Sequence, residues 1–76
     1  MMDREKFCKL LLDTQVQYLL REGRHLTNIN RPGKLVALYA LGKRFYEITY
    51  NYPQKELTSI DEIDAEQVMK AYLSQL

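Results

Sequence analysis

The chain has one cysteine, one histidine and no tryptophan among its 76 residues. Each shortage closes off a class of protein. A single cysteine cannot form an internal disulfide, so the chain is not a stapled secreted scaffold. Structural zinc takes four Cys or His ligands in paired spacing, and here Cys8 and His25 are the whole supply, so no metal is expected. The longest wholly apolar run, Leu35 to Leu41, falls far short of the roughly 20 residues a spanning helix needs. No basic segment followed by an apolar core opens the sequence. These absences predict a cytoplasmic protein with no membrane segment.

Catalytic signatures are missing as well. No GxGxxG or GxxxxGK[ST] pattern occurs, which leaves a phosphate-cradling loop and a nucleotide cofactor unsupported. A nucleophile needs a base within hydrogen-bond reach, and no motif connects Cys8, His25 and the hydroxyl side chains. Cys8 falls among apolar positions and reads as a small core residue. His25 reads as a surface or helix-end residue rather than a ligand. The acids Asp61, Glu62, Asp64 and Glu66 lack the glycine and terminal glutamate of a calcium-binding loop, and read instead as the acidic start of a helix. No enzyme, metal site or cofactor is expected.

What is present is the composition of a folded chain: 46% hydrophobic and 28% charged residues, with three glycines and two prolines. Its length bounds it to one small domain, residues 1–76, because chains this short struggle to bury a second core. The net charge of +1 is unevenly spread. Residues 21–44 sum to +5 and residues 45–76 to −4. Such polarity suits complementary contact between copies, or plain solvated loops beside an acidic helix start.

Asp3 to Glu22 reads as one helix, with Asp3 as N-cap and Gly23 as its stop. Its apolar residues Phe7, Cys8, Leu11, Leu12, Val16, Tyr18, Leu19 and Leu20 spread over about 220°, wider than one amphipathic stripe. His25 to Gly33 reads as a connector ending in Pro32-Gly33, a pair suited to a type II turn.

Gly42-Lys43 fits the loop of a type II′ hairpin, and that fixes the register of the strands beside it. Leu41 then faces Arg44, Tyr39 faces Tyr46, Ala37 faces Ile48 and Leu35 faces Tyr50. One face gathers Leu35, Ala37, Tyr39, Tyr46, Ile48 and Tyr50 as the core. The other carries Val36, Leu38, Ala40 and Phe45 beside Glu47 and Thr49. Either a helix covers each face, or both helices share one and the second meets a partner.

Tyr52 to Lys55 reads as a turn, and Glu56 to Ile60 as a short third strand. Asp64 then starts the last helix, with Gln67 completing a capping box and Ile63 and Val68 spaced as a hydrophobic staple. Val68, Met69, Tyr72, Leu73 and Leu76 form its apolar stripe. The expected fold is α+β: an N-terminal helix, an antiparallel hairpin or three-stranded meander, and a C-terminal helix.

Function is expected to lie in protein–protein contact. Val36, Leu38 and Phe45 are the candidate interaction surface, with another protein or a second copy in a homodimer as partner. The alternative is a nucleic-acid-associated accessory protein whose Arg21, Arg24, Arg31, Lys43 and Arg44 contact phosphates. Tyr39 and Tyr46 could stack bases in that reading, but the core needs them on its own face.

Overall fold

The computed structural model describes residues 3–72. Asp3 caps the first helix as expected, its carboxylate accepting the Lys6 N–H at 2.8 Å. That helix does not run on to Glu22. It breaks into α1, Arg4–Cys8, and α2, Leu12–Glu22. The break interrupts the helical register, and Phe7 of α1 and Tyr18 and Leu19 of α2 enter the same core. The Gln15 side-chain amide donates to the Phe7 carbonyl at 2.8 Å, satisfying an oxygen at the break. An apolar arc too wide for a straight helix is thus folded onto a single face of the sheet. The cost is that Leu11 and Leu20 stay 79% and 58% exposed. Cys8, expected in the core, is exposed for the same reason: the helical register that placed it inward ends at that residue.

The expected connector, His25 to Gly33, is instead mostly strand, which spans residues 24–31. The sheet has four strands, β1 Arg24–Arg31, β2 Lys34–Leu41, β3 Arg44–Asn51 and β4 Glu56–Ile63, antiparallel throughout and in the order β1-β2-β3-β4. Pro32-Gly33 and Gly42-Lys43 make the two tight turns, with Gly33 at φ 73° and Gly42 at φ 62°, a region that favours glycine. The β2–β3 register is the one the Gly42-Lys43 loop implies, from Leu41 opposite Arg44 to Leu35 opposite Tyr50. The expected third strand, here β4, extends three residues further than the sequence indicated, to Ile63.

The last helix, α3, spans Ala65–Tyr72. Its capping box is formed: Asp64 N–H donates to Gln67 Oε1 at 3.0 Å, and Gln67 N–H to Asp64 Oδ1 at 2.8 Å. Leu73 and Leu76 of the expected stripe lie outside the described residues.

The helices divide between the two faces. α1 and α2 cover the face of Ala37, Leu41, Tyr46 and Ile48, with Phe7, Tyr18 and Leu19 packed among them and Val16, Tyr39, Tyr50, Leu57 and Ile60 around the margin. The Phe7 ring lies 4.9 Å from that of Tyr46 and 5.9 Å from that of Tyr18. α3 covers part of the opposite face, where Tyr72 buries against Ile29 and Leu38 beside Phe45, Ile63, Val68 and Ala71. β2 is therefore apolar on both sides because both sides are inside.

Candidate functional site

This arrangement relocates the apolar surface expected from the sequence. Val36 and Leu38 are only 3% and 2% exposed, and Phe45 is half-buried beside the residues of α3. Val36 and Leu38 are thus core positions of the folded chain, and Phe45 keeps part of its surface open. Tyr72 fastens α3 there by donating its hydroxyl to Glu47 Oε2 at 2.6 Å. Burial, and then that carboxylate, push the Tyr72 hydroxyl well above the ordinary phenol range.

The basic residues do not form one patch. β1 and β2 run in opposite directions, which brings Arg24, Lys43 and Arg44 to the Gly42 end of the sheet, with Arg21 close by in the last turn of α2. Arg31 lies at the Gly33 end, about 23 Å from Arg24 at 3.3 Å per residue. Two of the five are occupied within the chain. The Arg44 guanidinium lies 5.7 Å from the centre of the Tyr46 ring, and that of Arg21 lies 5.8 Å from the Tyr18 ring, with its Nε 3.8 Å from Glu22. Arg24, Arg31 and Lys43 are exposed.

Tyr39 and Tyr46 belong to the core rather than to a stacking platform. Tyr46 is buried, and its hydroxyl donates to Glu62 Oε1 at 3.1 Å. Burial raises its pKa to about 12, with Arg44 opposing the shift and Glu62 adding to it. Glu62 also accepts Arg4 Nη2 at 2.9 Å, so this network ties α1 to β4.

The surfaces left over are the two edges of the sheet. β1 exposes Arg24, His25, Leu26, Asn28, Asn30 and Arg31. Among the described residues only β2 lies beside it in the sheet, and the outer backbone groups of β1 have no ladder partner there. Its pairing shifts at Leu26, which is 42% exposed. The His25 ring lies 5.1 Å from that of Tyr39, with Nε2 2.8 Å from Asn28 Oδ1; the histidine is a surface residue, as expected, carried by the strand. The opposite edge, β4, carries Glu56, Asp61 and Glu62.

The charge asymmetry along the chain thus becomes a basic edge and an acidic edge on opposite sides of one sheet. Sequence reasoning missed β1 because its two asparagines are poor strand formers. The available signal was Thr27, Ile29 and Arg31 alternating up to the Pro32-Gly33 turn.

A shallow cleft of about 290 Å³ lies at the Gly33 end, lined by Leu35, Tyr50, Tyr52 and Lys55. It is mostly apolar, and Lys55 is the one charged group on its wall. Among the described residues no cluster of His, Cys, Asp or Glu could hold a metal ion, and no helix is long and apolar enough to cross a membrane. No family model matches the chain, and neither the curated proteins nor the solved structures contain a significant match to it.

Proposed function

We propose that the chain is a non-catalytic cytoplasmic interaction protein whose contact surface is the β1 edge, with another protein or a second copy as partner. The observation that carries this reading is an eight-residue strand on the rim of the sheet, exposed at Arg24, His25, Leu26, Asn28, Asn30 and Arg31. An extended segment laid against such an edge gains main-chain hydrogen bonds, while the side chains on either side select it. Arg24 and Arg31 enter no ion pair among the described residues, so both remain available to an acidic partner.

Cross-linking in intact source cells, read by mass spectrometry, tests this. The expected result is a recurring set of cross-links from Lys34, at the start of β2 and paired with Arg31, and Lys43, in the turn after β2, lost on Arg24→Glu with Arg31→Glu. An association that nuclease abolishes, and that weakens steeply with salt, would replace this reading with a nucleic-acid one. Cross-links unaffected by the two substitutions would move the contact elsewhere on the molecule.

A further inference from the structure

We infer that the partner at the β1 edge is the β4 edge of a second copy, so that copies join head to tail into one continuous antiparallel sheet. This names the occupant of the surface proposed above and rests on that reading.

The topology permits the contact. Four strands alternate in direction, so β1 and β4 run opposite ways. A second copy shifted sideways, without being turned over, brings its β4 beside β1 in the antiparallel sense. The α1 and α2 layer then continues on one face and the α3 layer on the other.

The charges select it. Paired residues of antiparallel strands point to the same face. Arg24 pairs with Ala40 and Arg31 with Lys34; across the sheet, Glu56 pairs with Asn51 and Asp61 with Glu47. Tracing these pairs across β2 and β3 places all four on the α3 side. Arg31 and Glu56 lie toward the Gly33 end, and Arg24 and Asp61 toward the Gly42 end. A shifted copy therefore brings carboxylates near both arginines. All four are exposed, and none is in an ion pair among the described residues.

The like-to-like alternatives are opposed. A twofold pair through β1 sets arginine against arginine, and one through β4 sets carboxylate against carboxylate. Each edge also has an irregularity, at Leu26 in β1 and at Thr58 in β4, leaving Thr27–Arg31 and Ser59–Ile63 as the regular stretches. Short edges of this kind bury less than a standard interface, so the association is a weak one.

Sedimentation equilibrium of the whole chain, from about 10 µM to about 1 mM at low and high salt, reads the association. The expected result is concentration-dependent growth that weakens with salt. Arg24→Glu with Arg31→Glu makes both edges acidic, and Glu56→Lys with Asp61→Lys makes both basic. Circular dichroism checks that each variant stays folded, as exposed positions should allow. Each variant alone is expected to associate at least about tenfold more weakly than the parent chain. Mixed one to one, they are expected to regain assembly, because every acidic edge then meets a basic one.

A parent chain that stays monomeric to about 1 mM at low salt overturns the inference. So does a mixture of folded variants that fails to recover. Either result, obtained while the cellular cross-links at β1 persist, leaves the interaction reading standing with a different partner. Assembly undiminished in both variants places the contact away from the edges and overturns both.

Discussion

Replacing Leu38 by alanine asks directly whether the second sheet face is interior. Leu38 is 2% exposed and joins Ile29 and Tyr72 in the cluster beneath α3. Truncating a buried leucine costs about 2.5–5 kcal/mol, through lost transfer energy and the cavity left behind. A chain of 76 residues has about 4–11 kcal/mol of total stability at the usual stability per residue. The substitution should therefore remove a large share of it. Urea unfolding followed by circular dichroism is the assay. With a slope of about 1 kcal/mol per molar urea for so small a domain, the midpoint should fall by roughly 2.5 M or more, or the variant should not fold at all. Leu26→Ala, on the exposed part of β1, serves as the comparison and should cost about 0.5 kcal/mol or less. A loss below about 1 kcal/mol at Leu38 would refute the burial of this face, since that is the range of surface positions.

Two further outcomes follow from local geometry. A Cβ at Gly23 would sit 2.6 Å from the Leu19 carbonyl oxygen and 3.2 Å from that of Ala40, both backbone atoms. Gly23→Ala should thus displace α2 from β2 and lower the urea midpoint by more than about 1 M, and an unchanged midpoint would contradict this packing. Alkaline titration probes the buried tyrosines. Because the folded state raises the Tyr46 pKa from 10.0 to about 12, it holds the proton more tightly than the unfolded chain does. The stabilisation is complete below pH 10 and is lost as pH rises through that interval, by about 2–3 kcal/mol. Tyr72 shifts in the same direction. Urea melts taken between about pH 9 and 12, alongside the phenolate absorbance, should show this decline, and a flat profile would count against a buried Tyr46.

The parts of the fold governed by local chemistry were legible in the sequence. The Gly42-Lys43 loop fixed the β2–β3 register, and the Asp64 and Gln67 pair located the start of α3. What escaped were features decided by tertiary packing. The break after Cys8 has no proline or glycine to mark it, and exists because Phe7 and Leu19 both reach one core when the helical register is interrupted. β1 has the composition of a loop, and becomes a strand because β2 offers it a ladder and Ile29 buries on the α3 side. The site followed from the same causes. Apolar residues on both faces of β2 admitted either a partner or a second helix, and the placement of α3 leaves the two edges instead.

The strand order has a bearing on how the molecule comes together in time. Each ladder joins neighbours in the chain, across Pro32-Gly33, Gly42-Lys43 and the short segment 52–55. None requires the closure of a long loop, the entropic step that slows many β-rich proteins. The β2–β3 hairpin can zip from Gly42-Lys43 outward, and β1 and β4 can each add to a strand already in place. Speed of folding and an open rim then have a common origin, since a sheet built only from sequential neighbours must finish with its first and last strands on the outside.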